Sequence, residues 1–143
     1  MKTSPLALLA ALGATGAAAE KPDTWDLLGQ IEIDEVVTET SYTVNKRFPA
    51  AIGEAPQTVT ISGYAAPALP GDLVKELMLV ADMGTCPFCG SLDHGAALMV
   101  TLAEPIASLD ESRRITLQGT LKRVTDPETW QAVVMEDATI LAD

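Results

Sequence analysis

Arg114-Ile115-Thr116-Leu117-Gln118-Gly119-Thr120-Leu121-Lys122-Arg123-Val124 is the stretch whose reading decides the fold. Ile115, Leu117 and Leu121 recur at strand spacing with polar residues between them, the pattern of a strand with one face in a core. Gly119 interrupts that face and is expected at a β-bulge or at a close backbone approach. Moving outward, Thr58 to Tyr64 alternates again through Val59 and Ile61, and Pro67, Pro70 and Gly71 end the element. Ala97 to Ala103 is an apolar run closed by Glu104-Pro105, Asp126-Pro127 makes a turn, and Trp130 to Leu141 forms a last strand or strand pair.

Nearer the start, Ile31, Ile33 and Val36 alternate with Gln30, Glu32 and Asp34 as in a half-buried strand. Lys46 to Gln57, with Pro49, Gly53 and Pro56, reads as a connecting loop, and Leu77 to Val80 is a short apolar run. Helix is expected only at Trp25–Gln30, with Thr24 as its cap, and at Leu73–Leu77; no long 3.6-residue periodicity occurs. The expected class is all-β, a small barrel or sandwich of five to seven short strands with little helix. Met78, Met99 and Met135 sit in apolar strand patterns and are expected in the core, and Trp25 and Trp130 in the core or at a barrel end.

The chain of 143 residues suits one domain. Lys2 is the only charge before Glu20, the run Pro5 to Ala19 is apolar or small, and Ala17-Ala18-Ala19 offers a cleavage site. Residues 1–19 therefore read as a signal peptide, too short to cross ~30 Å of hydrocarbon as a helix. A membrane anchor or a frayed helix is the alternative reading. Residues 20–143 would be the mature domain, exported to the periplasm. Loss of residues 1–19 removes one lysine and no acid, which leaves 8 basic and 20 acidic residues and a formal charge of −12. That charge argues against nucleic acid and against anionic membrane surfaces, both of which need a cationic face. No membrane insertion is expected after cleavage, and the domain should be a monomer or a weak homodimer.

The chemistry lies in Cys86-Pro87-Phe88-Cys89-Gly90-Ser91-Leu92-Asp93-His94. Two thiolates separated by two residues can grip one metal ion when the turn between them points both sulfurs inward. Pro87 stiffens that turn and Gly90 lets backbone N–H groups face the sulfurs. His94, the single histidine of the chain, would be the third ligand, with Asp93 or a water as fourth and Met83 as a softer candidate. Cysteine, histidine and aspartate suit Zn²⁺; a sulfur-rich set with Met83 suits Cu(I). Other readings stay open. Cys86 and Cys89 can form a disulfide that pins a loop in an oxidising compartment. The Cys-Pro-Phe-Cys sequence also looks like the active site of glutaredoxin-type thioredoxin folds, yet Gly90, Ser91, Asp93 and Gly95 make a poor helix and no βαβ pattern surrounds them. A catalytic thiol with His94 as base would need an orienting acid and an oxyanion site that the sequence does not display. No enzymatic activity is expected.

Trp25-Asp26-Leu27-Leu28, Gly63-Tyr64-Ala65-Ala66-Pro67, Glu76-Leu77-Met78-Leu79-Val80, Gly84-Thr85-Cys86 and Thr116-Leu117-Gln118-Gly119-Thr120-Leu121 together resemble an uncharacterised family of exported bacterial proteins, a domain of unknown function. The resemblance implies a small OB-like β-barrel. It also implies an accessory role in envelope transport or metal handling, near ABC transporter components of the lipoprotein-release type, so an envelope transporter or a lipoprotein is the implied partner. Many members carry a histidine and a proline-rich stretch after the cysteine that matches Cys86, and this sequence departs from that pattern. Only Cys86 carries over by position; roles for Cys89 and His94 rest on their chemistry.

Overall fold

The computed structural model describes residues 23–82 and 97–141. Among the described residues one short helix, α1 (Thr24–Leu28), precedes seven strands: β1 (Glu32–Val37), β2 (Tyr42–Arg47), β3 (Gln57–Pro67), β4 (Val74–Val80), β5 (Ala97–Ile106), β6 (Arg114–Arg123) and β7 (Val133–Leu141). Five of them close a barrel in the order β3-β4-β5-β7-β6, and β1 and β2 form a separate hairpin. The expected all-β class with little helix is what folds, and of the two architectures expected, the barrel is the one adopted.

All neighbouring strands are antiparallel except β5 and β7, which run parallel. Two-residue alternation sorts each strand into an inner and an outer face. Ile61, Leu77, Leu79, Leu98, Val100, Leu102, Leu117 and Met135 fill the interior, each no more than 2% exposed. Burying a leucine-sized side chain contributes roughly 1.5–3 kcal/mol, so this ring of residues dominates the stability of the barrel. Opposite parity places Thr58, Thr60 and Ser62 of β3 beside Thr120, Gln118 and Thr116 of β6, and the Ser62 and Thr116 hydroxyls bond at 2.7 Å.

Two glycines make closure possible. β3 pairs with β6 from Gln57 to Tyr64 and with β4 from Tyr64 to Pro67. At that handover a Cβ on Gly63 would lie 2.4 Å from the Val80 carbonyl oxygen, so any other residue would push β4 away. Gly119 faces a bulge in β7. Gln118 pairs with Thr139 and Thr120 with Glu136, so Gly119 lies opposite two β7 residues. Asp137 in that bulge has φ 51°, and a left-handed residue is how a strand absorbs one extra position. A Cβ on Gly119 would meet Met135 Cγ at 2.8 Å and Ala138 Cα and Cβ at 3.0 Å. The expectation of a bulge or a close approach at Gly119 holds, and both occur.

Several local expectations need correction. Leu73–Leu77 is not helical: from Val74 the chain is strand β4, because Leu77 and Leu79 at two-residue spacing reach the core. The cap of α1 is Asp23, whose Oδ1 accepts Trp25 N–H at 3.3 Å. Thr24 is instead buried in the first turn and donates from Oγ1 to the Thr60 carbonyl at 3.0 Å. Trp25 Nε1 donates to the Ser62 carbonyl at 2.8 Å, so α1 is fastened across β3. The alternation holds at the start of β1, where Ile31 and Ile33 are partly buried between exposed Gln30, Glu32 and Asp34, and fails at its end, where Val36 is 43% and Val37 71% exposed in a hairpin that is separate from the barrel sheet. The loop expected from Lys46 starts later, since β2 runs to Arg47. Arg123 holds the following segment, stacking over the Phe48 ring at 4.5 Å and donating to the Ile52 carbonyl. Glu104-Pro105 does not end β5, which continues to Ile106; Pro105 is tolerated beyond the last β7 pair at Leu102 and beside the β4 register shift between Val74 and Glu76.

Gly119→Val should lower the unfolding free energy by about 2–3 kcal/mol through this crowding. Gly29→Ala should change it by less than about 1 kcal/mol, since Gly29 has φ −66° and the nearest atom to an added Cβ is Trp25 O at 3.5 Å. Urea unfolding followed by tryptophan fluorescence measures both, and equal midpoints for the two variants would contradict the packing described at the bulge.

Candidate functional site

Cys86, Cys89, Asp93, His94 and Met83 lie outside the described residues, as do residues 1–19. What the fold does define is the place where that segment joins the barrel. Val80 pairs with Ala97, the last pair of the β4–β5 ladder, so the chain leaves β4 and enters β5 at adjacent points. Arg114 braces the exit: its guanidinium donates to the Ala81 and Ser62 carbonyls, each at 3.3 Å, and lies 5.9 Å from the Tyr64 ring centroid. Among the described residues no group of three or more histidine, cysteine, aspartate or glutamate side chains is placed to hold a metal ion. No described helix is long and apolar enough to cross a membrane.

A groove of about 160 Å³ runs along the outer wall of the barrel beside the β4–β5 pair. Ile31 and Ile33 from the root of the hairpin form one side, Trp130 and Ala132 another, and Met78 and Met99 the barrel wall. Met78 and Met99 were expected in the core. They are partly buried and face outward, because Leu77, Leu79, Leu98 and Val100 hold the inner parity of the same strands. Met135 is fully buried, as expected. Trp25 packs against the core, whereas Trp130 is 43% exposed at the groove. A second, larger cleft, about 600 Å³, lies between α1 and the outer face of β3, with Thr24, Gln57, Thr58, Thr60 and Gln118 among its lining residues.

The hairpin that bounds the apolar groove is held by a side chain that pattern reading passed over. Lys46 Nζ donates to the carbonyls of Val124 at 3.0 Å, Asp126 at 2.8 Å and Gln131 at 2.6 Å. Beside it Val44 N–H donates to the Pro127 carbonyl at 2.8 Å, and Val44 is buried. Dehydration lowers the Lys46 pKa from the ordinary lysine value, and the Asp126 carboxylate works in the other direction. Three carbonyl oxygens offset part of that dehydration cost, since a bond to a charged donor is worth more than a neutral one. The outer face of the hairpin is acidic: Glu32 pairs with Arg47 at 2.9 Å, both largely exposed, and such a surface pair contributes little. The signal that could have exposed Lys46 is weak, a lysine in register with Ile33 on the inward face of a two-stranded sheet.

No family model matches this chain, and no curated protein matches it. Among solved structures it is similar to the crystal structure of a DUF3299 family protein from Pseudomonas aeruginosa, with 20% identity, a TM-score of 0.49 and coverage of 69% of each chain.

Lys46→Met should destabilise the protein by about 1–3 kcal/mol, because it leaves three carbonyl oxygens without their charged donor. Hydrogen exchange should show the Val44 amide losing protection while that of Leu117 in β6 changes only with global stability. Unaltered exchange at Val44 would mean that the hairpin is held by other contacts.

Proposed function

We propose that this is an exported metal-binding accessory protein of the bacterial envelope, with Cys86, Cys89 and His94 as ligands on the connection between β4 and β5. The single observation that carries the reading is the Cys-x-x-Cys-x4-His spacing. Two thiolates and an imidazole form a borderline-soft donor set suited to Zn²⁺, with Asp93 or water completing four-coordination and Cu(I) as the second choice if Met83 takes part. The barrel supports the reading by supplying a rigid base: the connection starts and ends at the paired residues Val80 and Ala97. A loop anchored in that way costs less entropy to order around an ion than one whose ends are far apart.

The strand order, with one parallel pair closing the barrel, supports the OB-like form implied by the family resemblance. Export through residues 1–19 and association with an envelope ABC transporter or a lipoprotein belong to the same proposal. Its support is the apolar run from Pro5 to Ala19 and the formal charge of −11 on the whole chain, which disfavours nucleic acid and anionic membrane surfaces as partners.

Protein recovered from the periplasm should have its first nineteen residues removed, carry free thiols and hold about one equivalent of zinc or copper. A mass two hydrogens lower with no metal would instead establish a Cys86–Cys89 disulfide, and the protein would then be a non-catalytic interaction domain. Ligation needs thiolate and neutral imidazole, so protons compete with the metal, and affinity should fall steeply below about pH 6. Competition titrations with a chromophoric chelator measure this, and affinity unchanged down to about pH 4 would exclude these ligands.

A further inference from the structure

The apolar groove holds two sulfur atoms that the Cys86–Cys89–His94 reading leaves unused. Met78 and Met99 are directly paired across the β4–β5 ladder. Side chains so opposed have Cβ atoms about 4.5–5.5 Å apart, and both of these line the same groove with Trp130. Methionine is unbranched and polarizable, so two of them can turn their thioethers toward one point. The ordinary role of such a pair is packing against an aromatic ring. Leucine would fill the same wall equally well, and the neighbouring strand positions use leucine freely: Leu77, Leu79 and Leu98 flank the pair.

The lining decides which ligand would fit. Among the described residues around the groove none is charged and none is a histidine; Thr129 and Gln131 are the polar members. A hard, strongly hydrated divalent ion finds no carboxylate there. A soft monovalent ion needs neither a carboxylate nor a deprotonated ligand, because neutral thioethers suit Cu(I). An indole face adds attraction for a cation and shields it from water.

We propose that Met78 and Met99 form a thioether site for Cu(I), with the Trp130 indole as part of its wall. The inference rests on the reading of the chain as a metal-handling protein and makes monovalent copper one of its cargoes, at a position separate from the cysteines. Because neutral ligands bind without losing protons, this site should keep its affinity at a pH where the thiolate site has lost its own.

The test uses the chain carrying Cys86→Ser and Cys89→Ser, with methionine methyl groups labelled with carbon-13, and Ag(I) as a redox-stable probe for Cu(I). During titration the methyl resonances of Met78 and Met99 should move together and saturate near one equivalent, while that of buried Met135 stays in place. Adding Met78→Leu and Met99→Leu should weaken Ag(I) binding by about tenfold or more, a difference of 1.4 kcal/mol per decade. The substitution is close in volume and should leave the fold intact, and the methyl shifts of the methionine-containing parent decide the matter even if it does not. Stationary resonances at Met78 and Met99, movement of only one of them or of Met83 alone, or equal affinity after the leucine substitutions would overturn the proposal. Zinc titration of the unaltered chain judges the cysteine–histidine site separately, so either site can fail without the other.

Discussion

Tyr64 pairs with Val80 on one side and with Arg114 on the other, and the barrel depends on that double engagement. β3 passes from its β6 ladder to its β4 ladder at this residue, and the β4 backbone comes close against it there. Gly63 is where this happens, with the Val80 carbonyl in the space a side chain would take. Once β3 joins β4 to β6, the five strands have no open edge, and every inner side chain is enclosed by backbone ladders. The core of leucine, isoleucine and valine then needs no disulfide to support it.

Closure also requires β7 to sit between β5 and β6, parallel to one and antiparallel to the other. Both ladders are interrupted in one place. The same stretch of β7 shifts register against both partners, between Val100 and Leu102 on β5 and between Gln118 and Thr120 on β6. Asp137 takes the left-handed conformation, and Gly119 and Ala138 keep the interior narrow at that level. Outside the barrel, cationic side chains perform the fastening: Lys46 gathers three carbonyls to dock the hairpin, and Arg123 reaches Ile52 to hold the loop before β3. In a strongly acidic chain these few bases are used at least in part to tie irregular backbone to the sheet. Arg123 does so at a cost, for its Nε is buried without a partner.

Legibility followed the reach of each signal. Strands β3 and β6 were readable because Val59, Ile61, Leu117 and Leu121 alternate cleanly, and a period of two needs no knowledge of neighbours. The start of β4 was misread because Val74-Lys75-Glu76-Leu77 offers apolar residues three apart, which a helix turn also satisfies; burial of Leu77 and Leu79 settles the difference. Met78 and Met99 were misplaced for a related reason. Both lie in continuous apolar runs, where composition says that a segment is buried but cannot say which parity faces inward. β2 was missed altogether, since Tyr42-Thr43-Val44-Asn45-Lys46-Arg47 has one core residue, Val44, and gains its order from pairing with β1 and from Pro127. The ligands proposed at Cys86, Cys89 and His94 stand differently: they rest on a spacing of donor atoms that is read from the sequence alone.

Two kinds of information therefore separate. By itself the sequence determined the all-β class, the strands with clean alternation, the special character of Gly119 and the spacing of Cys86, Cys89 and His94 on which the proposed site rests, because each depends on residues close together in the chain. Tertiary structure alone decided that the strands close into a barrel, that β5 lies parallel to β7, that Lys46 pins the hairpin and that Met78 faces Met99 across an outer groove. Those facts depend on which distant segments become neighbours. Neighbours of that kind are chosen by the joint packing of all the inner faces, a property that no single window of residues contains.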